Sequence, residues 1–302
     1  LNRRGYAPFV ICKKCGYKFE CPNCTVNLNF HEKINKLLCH HCGHKKNLSR
    51  ICKDDKKCDL LFWGPGIERI FSELKKIYPN KKIEIFSSDT LKKNSLANSL
   101  LEKAEKKKID ILVGTQLLSK GFHFPKLNCI VVVDTDFSSH GYDLRAAEKN
   151  IQLYNQLAGR AGREGSESTI YFQTYTPKDE TLLSIIKNNP YDFLGKELLL
   201  RKEKKLPPFY RLISLIISGN SETTIMKFAL TIKLKLPKIN EVNVLGPVLA
   251  PIVKIKKKYR CRILIKYPKR LFIQKYLSKT LNKMKIIPGI KLEVDVDPIN
   301  FS

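Results

Sequence analysis

The stretch IDILVGTQLLSKG, residues 109–121, passes from a short apolar run into a polar turn bounded by glycines. Residues 109–113 have the length and composition of a buried strand, which ends at Gly114 and Thr115. Similar apolar runs alternate with helical patterns on both sides, which predicts a parallel, doubly wound α/β sheet. Ligand-binding residues of such sheets collect beyond the carboxyl ends of strands. Gly114, Thr115 and Asp134, which follows the next predicted strand, are therefore candidate site residues.

The α/β pattern extends from residue 60 to residue 173, and a smaller α+β region follows a boundary near residues 190–208. In the first region the pattern predicts strands at 60–62, 83–86, 129–133 and 169–173, and helices at 67–77, 96–106 and 143–157. The boundary carries a charged helix with three consecutive leucines, 198–200. The second region is predicted to contain strands at 212–218, 242–245, 262–266 and 291–296, and helices at 223–236 and 271–284.

Eight of the ten cysteines lie between Cys12 and Cys58. Six of them form the Cys-x-x-Cys pairs Cys12–Cys15, Cys21–Cys24 and Cys39–Cys42, and the last two are Cys52 and Cys58. Two such pairs complete a tetrahedral structural zinc site, so eight cysteines allow two sites. Zinc is favoured over disulfides because we expect a protein without a signal peptide, in a reducing compartment that keeps thiols free. With eight thiols present, the module's histidines are expected to face solvent or to hydrogen-bond near the metal: His31, His40, His41 and His44.

The charge of the chain is strongly positive, with 56 Lys and Arg against 28 Asp and Glu and a formal net charge of +28. This surplus favours a nucleic acid as partner ahead of an anionic membrane, the alternative being a compositional bias toward Lys. No apolar run reaches the roughly 20 residues of a membrane span, so we expect a cytoplasmic protein without a membrane partner. Residues 254–270 hold nine basic residues and no acidic one, interleaved with Tyr259 and Tyr267. They are either a solvated face or a groove for a nucleic-acid backbone.

A second motif, QLAGRAGR at residues 156–163, follows the helix predicted at 143–157. With GTQLLSKG at 114–121 it resembles the fifth and sixth motifs of superfamily 2 helicases, which implies a RecA-like second helicase lobe bordering an ATP site. Arginine bonds phosphate with a planar, always charged fork, so Arg160 and Arg163 are the candidate catalytic residues, one or both acting as an arginine finger. The other candidates for ATP contact or motor coupling are Gly114, Thr115, Gln116, Lys120, Gly121, Asp134, Gln156 and Gly159.

The cysteine-rich module narrows this resemblance to one family. Placed directly after LNRRGYAP, residues 1–8, it resembles that of the PriA family of replication-restart helicases. Further similar segments are GPGIE at 64–68, GFHFP at 121–125, RAAE at 145–148, LPPF at 206–209, LGP at 245–247 and DVDP at 295–298. The resemblance covers essentially the whole chain. It implies an ATP-dependent 3′-5′ DNA helicase that binds single-stranded and forked DNA and meets primosome and single-strand-binding proteins.

The resemblance also implies a nested pairing of the zinc ligands. Cys12, Cys15, Cys52 and Cys58 would hold the first ion, and Cys21, Cys24, Cys39 and Cys42 the second. The last pair departs from the family's Cys-x-x-Cys, because Cys58 lies further along and Asp55 stands in the usual position. We favour Cys58 over Asp55 as the fourth ligand because thiolate is the softer donor, a weakened first site being the remaining possibility.

The sequence contains no phosphate-binding loop and no Asp-Glu-x-His motif. ATP and Mg²⁺ are therefore expected to need a first motor lobe ahead of Leu1, the chain being read as the C-terminal part of a longer protein. The expected domains are the start of the second lobe at 1–11, the zinc module at 12–58, the lobe at 59–190 and a DNA- and partner-binding domain at 191–302. The alternative function is a truncated, non-catalytic DNA-binding primosome scaffold. An unrelated zinc-ribbon binding protein ranks last, because it leaves residues 114–163 unexplained.

Overall fold

The computed structural model describes residues 6–49, 59–64, 66–87, 94–106, 108–115, 118, 124, 127–136, 144–159, 168–187 and 189–299. The chain forms two units. The first comprises Leu1–Cys21, Asn27–Gly141 and Ala146–Asn188, and the second comprises Pro22–Val26, Tyr142–Arg145 and Asn189–Ser302. Across the described ranges, every helix is too short or too polar to cross a membrane.

The cysteine-rich module is inserted between two paired strands of the first unit. Strand β1 (Phe9–Cys12) runs antiparallel to β5 (Leu60–Trp63), so the chain leaves along one strand and returns along its neighbour. Within the insertion, β2 (Asn29–His31), β3 (Lys36–Leu38) and β4 (Lys45–Asn47) form an antiparallel sheet in the order β2-β3-β4. A 3₁₀ turn, Glu32–Ile34, links β2 to β3.

Two parallel strand pairs, each with a helix between its strands, form the α/β part of the first unit. Strand β6 (Ile83–Phe86) pairs with β7 (Ile111–Gly114), and β8 (Cys129–Val132) pairs with β9 (Thr169–Phe172). Helix α1 (Ile67–Ile77) precedes β6, α2 (Asn94–Glu105) lies between β6 and β7, and α3 (Ala146–Ala158) lies between β8 and β9. The predicted α/β class is therefore confirmed. The predicted single sheet is not seen within the described ranges, where the two pairs remain separate sheets and β1–β5 is a third, antiparallel one.

Each parallel pair has its own apolar core. Ile67 of α1, Ile83 of β6 and Val113 of β7 are buried together, with Ile70, Phe71 and Leu74 packed around them. The β8–β9 pair buries Ile130, Val132, Tyr154 and Leu157 with Leu182 of helix α4 (Glu180–Ile186). Helix α4 was not predicted from the sequence. Its start is marked by Asp179, whose side chain accepts a hydrogen bond from the backbone N–H of Leu182 and so caps the helix.

The second unit is an antiparallel sheet covered by helices. Its strands are β10 (Tyr210–Gly219), β11 (Asn243–Ile255), β12 (Lys258–Pro268) and β13 (Lys291–Val296), in the order β11-β12-β10-β13. Helix α5 (Pro190–Glu203) precedes the sheet, α6 (Glu222–Lys235) follows β10 and α7 (Gln274–Asn282) follows β12. The core is built from alternate residues of β10 and β12 packed against one face of α6. The predicted α+β region is confirmed.

Strands β11 and β12 are much longer than the predicted strands at 242–245 and 262–266. They form one continuous hairpin whose tip lies at residues 255–258. The prediction was short because lysines and arginines interrupt the apolar pattern of β12, and Gly246, Pro247 and Pro251 interrupt that of β11. The pairing of the two strands continues past these residues, with two shifts of register.

Candidate metal centre and motor site

Four thiols converge at the centre of the insertion. The Sγ atoms of Cys21, Cys24, Cys39 and Cys42 all lie within 4.8 Å of one another, and those of Cys21 and Cys42 are 3.5 Å apart. Tetrahedral zinc with Zn–S bonds of about 2.3 Å places its sulfurs about 3.8 Å apart. Cys21, Cys24 and Cys39 are buried, and Cys42 is partly exposed. The donor set and its geometry therefore fit a closed structural zinc site, and they are the four residues predicted for the second ion.

Two of the cysteine pairs, Cys12–Cys15 and Cys39–Cys42, adopt the same type of backbone turn. The N–H of Gly43 donates to the carbonyl of Cys39, and the N–H of Cys39 donates to His44, each at 2.9 Å. The same two bonds recur around Cys12: the N–H of Gly16 donates to the Cys12 carbonyl, and the N–H of Cys12 donates to the Tyr17 carbonyl, each at 2.9 Å. Gly16 and Gly43 both adopt positive φ, 71° and 78°, which glycine tolerates without a steric penalty. The glycine that follows each second cysteine was the sequence signal for this turn, and it was overlooked.

The surroundings of Cys12 favour the thiolate form of its side chain. The backbone N–H of Cys15 lowers its pKa to about 6, against the opposing effect of burial and with help from the backbone of Lys14 and Asp59. A metal ligand must be deprotonated, so this environment suits the first predicted zinc site. Cys15 is exposed. The other predicted ligands, Cys52 and Cys58, and the alternative Asp55 lie outside the described residues.

The tip of the β11–β12 hairpin is hydrogen-bonded to the segment Pro22–Val26, which contains Cys24 and belongs, like the hairpin, to the second unit. The N–H of Lys256 donates to Cys24 Sγ at 3.3 Å, and that of Lys257 donates to the Asn23 carbonyl at 2.8 Å. Thr25 and Lys254 exchange two more bonds, of 3.0 and 2.9 Å. An N–H···S bond stabilises a thiolate ligand. Sequence reasoning missed this contact.

The start of the first motor motif depends on glycine. A Cβ on Gly114 would lie 2.7 Å from the carbonyl oxygen of Phe86, the last residue of the paired strand β6. Glycine therefore lets β7 and β6 stay close at the carboxyl ends where the motif begins. Thr115 follows at once and is half-buried. Gln116, Lys120 and Gly121 lie outside the described residues.

The second motor motif begins on the last turn of α3. Gln156 is exposed there, and the N–H of Gly159 closes the helix by donating to the carbonyl of Asn155 at 2.9 Å. Arg160 and Arg163 lie outside the described residues, so the structure places only the helix from which they continue. Their roles stay predictions.

The ends of β8 and β9 are joined by an aspartate network. Asp134 has a φ of 59°, an uncommon value for a residue other than glycine. Two residues on, Asp136 accepts hydrogen bonds from the Thr174 hydroxyl at 2.7 Å and the Tyr175 N–H at 2.8 Å, and a further one from the Thr176 hydroxyl. Burial raises the pKa of Asp136, but these bonds outweigh it and bring the pKa down to about 2. The sequence had placed both Asp134 and Asp136 beyond the end of this strand, and only Asp134 was singled out as a site residue.

The structure places two tyrosines and a histidine that the sequence had left open. Tyr267, which one of the two interpretations placed in a nucleic-acid groove, is fully buried in the core of the second unit, where its hydroxyl accepts from Gln274 Nε2 at 3.1 Å. It lies in phase with Cys261, Ile263 and Ile265, which all face that core. Tyr259 remains partly exposed, beneath Lys254 Nζ at 5.6 Å. His31 is also buried, and it bonds Glu68 and His40, which fits the second of its two expected placements, a hydrogen bond near the metal site, and not the solvent-facing one.

Three family models match the chain. Residues 21–46 match the PriA DNA helicase Cys-rich region domain, residues 35–165 the Helicase conserved C-terminal domain, and residues 202–299 the Primosomal protein N C-terminal domain. The mixed α/β first unit, the cysteine module and the α+β second unit fit this order.

Relatives named "Replication restart protein PriA" align with the whole length of the chain. That of Rickettsia conorii is 42% identical over 303 residues, covering 100% of this chain and 46% of the relative. Those of Synechocystis and Bacillus subtilis are 34% and 33% identical, covering 99% and 94% of this chain but 37% and 36% of the relatives. The chain thus spans less than half of these curated relatives. By its domains and its relatives, the chain corresponds to the C-terminal portion of PriA proteins.

Proposed function

We propose that this chain supplies the second motor lobe, the zinc module and the C-terminal DNA- and partner-binding domain of a helicase that restarts DNA replication. The observation that carries the proposal is the four-thiol cluster, inserted between the paired strands β1 and β5 of a unit that matches a helicase C-terminal domain. A zinc-binding protein of another class has no need of Gly114 at a crowded strand end or of a Gly-Arg motif after helix α3.

ATP is bound, in this proposal, between the second lobe and a first lobe that carries the phosphate-binding loop and the Mg²⁺ ligands. Arg160 and Arg163 then reach the terminal phosphate from the end of α3, where their guanidinium groups stabilise the charge that develops during phosphoryl transfer. Gln156 is exposed on the last turn of the same helix, one turn ahead of Arg160, and serves as a polar contact to the γ-phosphate. Gly114 and Thr115 pass the nucleotide state to DNA-contacting residues of the loop that follows.

DNA is the substrate that the charge of the chain favours. The formal net charge is +28, and Lys256, Lys257 and Lys258 are exposed at the hairpin tip. Lysines at such positions neutralise phosphates without reading sequence, as a translocating motor requires. Unwinding with 3′-5′ polarity, action on forked DNA, primosome and single-strand-binding partners, and a cytoplasmic location complete the proposal by analogy with the family.

Zinc has a structural part in this function. We propose two ions, the second held by the four-thiol cluster and the first by Cys12 and Cys15 with Cys52 and Cys58. Neither ion takes part in ATP chemistry, because a closed all-thiolate site leaves no open coordination position. Metal analysis should give two zinc ions per chain, and a value near one would argue against an intact first site.

Strand separation by the complete native protein tests the function. Duplexes with a single-stranded 3′ arm or a single-stranded 5′ arm are mixed with the protein, ATP and Mg²⁺, and strand release is followed with time. We expect release from the substrate whose single-stranded arm allows 3′-5′ movement, and none when a non-hydrolysable ATP analogue replaces ATP. Tight DNA binding without ATP-dependent release would favour the non-catalytic scaffold instead.

A further inference from the structure

A hydrogen-bonded chain of three side chains, two of them largely buried, links the zinc module to helix α1. The Glu68 carboxylate accepts a hydrogen bond from His31 Nδ1 at 3.1 Å, and Nε2 of His31 lies 3.3 Å from Nε2 of His40. The other carboxylate oxygen of Glu68 accepts from the backbone N–H of Glu32 at 3.0 Å. The side chains of His31 and Glu68 are only 9% and 15% exposed, so the contact between these two residues is shielded from water, while His40 is exposed.

The outer end of this chain belongs to the metal centre. His40 stands between Cys39 and Cys42, two of the four thiols of the cluster. His31 is the last residue of strand β2, and its neighbour Phe30 forms a β-bridge with Ala7, just ahead of strand β1. The carboxylate orients the His31 ring through Nδ1, so that Nε2 of the same ring faces His40.

The inner end belongs to the motor lobe. Glu68 lies in the first turn of α1, where the helix dipole favours a carboxylate. The next turns of α1 carry Ile70, Phe71 and Leu74, which pack against Ile83 and Val113. Val113 immediately precedes Gly114, the first residue of the motor motif. The packed side chains of α1, β6 and β7 therefore connect Glu68 to Gly114, a residue of the proposed motor motif.

We propose that Glu68, through His31 and His40, is the positioning residue that makes the zinc module move as one body with the second motor lobe. This inference rests on the proposed helicase function. One carboxylate holds the module at two points, the His31 ring and the Glu32 backbone, which fixes its orientation as well as its distance. Without that carboxylate the complete protein still hydrolyses ATP, but the zinc module no longer moves together with the second lobe, and fewer base pairs open per ATP.

The test compares DNA unwinding with ATP hydrolysis in the complete native protein. Strand separation and DNA-stimulated phosphate release are measured on the same substrate, and their ratio is the readout. We expect Glu68→Ala and His40→Ala to lower this ratio by about fivefold or more, a loss typical of a broken energetic coupling. Zinc content should stay at the wild-type value in both. Glu68→Gln retains one neutral acceptor and should restore part of the ratio.

Two matched controls separate positioning from folding. Glu73→Ala removes a surface carboxylate of the same helix that pairs with Arg69, and His41→Ala removes the exposed neighbour of His40. Both should keep the wild-type ratio. A variant that only loses folded protein lowers hydrolysis and unwinding together, so an unchanged ratio in Glu68→Ala and His40→Ala overturns the inference. Failure of the proposed function is distinct, because then the wild-type protein itself shows no ATP-dependent unwinding.

Discussion

At the scale of single residues, Asp136 shows how one side chain joins two parallel strands. It follows β8, and the groups that bond it follow β9: the hydroxyls of Thr174 and Thr176 and the N–H of Tyr175. A carboxylate at this place ties together the strand ends next to the predicted nucleotide edge. The network also predicts a specific dependence of stability on pH.

We expect Asp136→Asn to lower the free energy of unfolding by about 1–2 kcal/mol at pH 7, because the amide nitrogen cannot accept the threonine or backbone hydrogens. The pKa of Asp136 is lowered from 3.8 to about 2, so its contribution is complete above pH 3.8 and is lost as the pH falls through about 2. Urea unfolding at several pH values should show the two proteins converging over that window. Asp192→Asn, on an exposed helix turn, is the control and should change stability by less than about 0.5 kcal/mol.

The glycines of the metal-binding turns give a second residue-scale prediction. Gly43 has a φ of 78° and open space around its missing Cβ, so Gly43→Ala introduces backbone strain without a clash. We expect a loss of about 1 kcal/mol in zinc-bound stability, measured by thermal unfolding in the presence of zinc. Gly195→Ala is a control of opposite sign: Gly195 lies inside helix α5, also in open space, and alanine there should stabilise the protein by about 1 kcal/mol. Equal effects at the two glycines would contradict this account.

At the scale of elements, the β11–β12 hairpin has an unusual tip. Lys256 and Lys257 both have positive φ, 50° and 67°, where hairpins ordinarily place Asn or Gly. The strained turn directs its N–H groups toward Cys24 and Asn23. Strain of this kind persists where the surrounding contacts enforce it.

Lys257→Gly should therefore raise the free energy of unfolding by about 0.5–1 kcal/mol, because glycine adopts positive φ without a steric penalty. Lys258→Gly, placed in strand β12, should lower stability by a similar amount and serves as the matched control. Chemical denaturation of the two variants at equal zinc occupancy makes the comparison. A destabilised Lys257→Gly would show that the lysine side chain matters more than the turn geometry.

Periodicity accounts for most elements that were predicted correctly from the sequence. The strand at 83–86 and the helix at 67–77 match β6 and α1, because their apolar residues follow the period of each structure. The burial of Tyr267 could also have been predicted from the sequence, since residues 261, 263, 265 and 267 alternate and form one buried face of a strand. The hydrogen bonds between Glu68 and His31 and between Lys256 and Cys24 could not be predicted from the sequence, because they join residues 37 and 232 positions apart. Such contacts depend on how elements pack, and no local pattern encodes them.

At the scale of the whole molecule, we propose that the chain carries one side of an ATP site. Its sequence has no phosphate-binding loop, while the glycine-arginine motif proposed to complete such a site from the second lobe is present at residues 159–163. We therefore expect the isolated chain to bind single-stranded DNA with strong salt dependence but to show no DNA-stimulated ATP hydrolysis. Phosphate release by the purified chain above that of a heat-inactivated sample would contradict this.

We propose that residues 114–163 form the second half of an ATP-driven motor, and the two arginines at the end of this segment are the residues to replace. Arg160→Ala and Arg163→Ala are made in the complete native protein, with the exposed Lys178→Ala as control, and DNA-stimulated ATP hydrolysis is measured beside DNA binding and zinc content. We expect hydrolysis to fall about 10³-fold or more in at least one arginine variant, while DNA binding and zinc stay at wild-type values. Normal turnover in both arginine variants would show that neither arginine serves an ATP site.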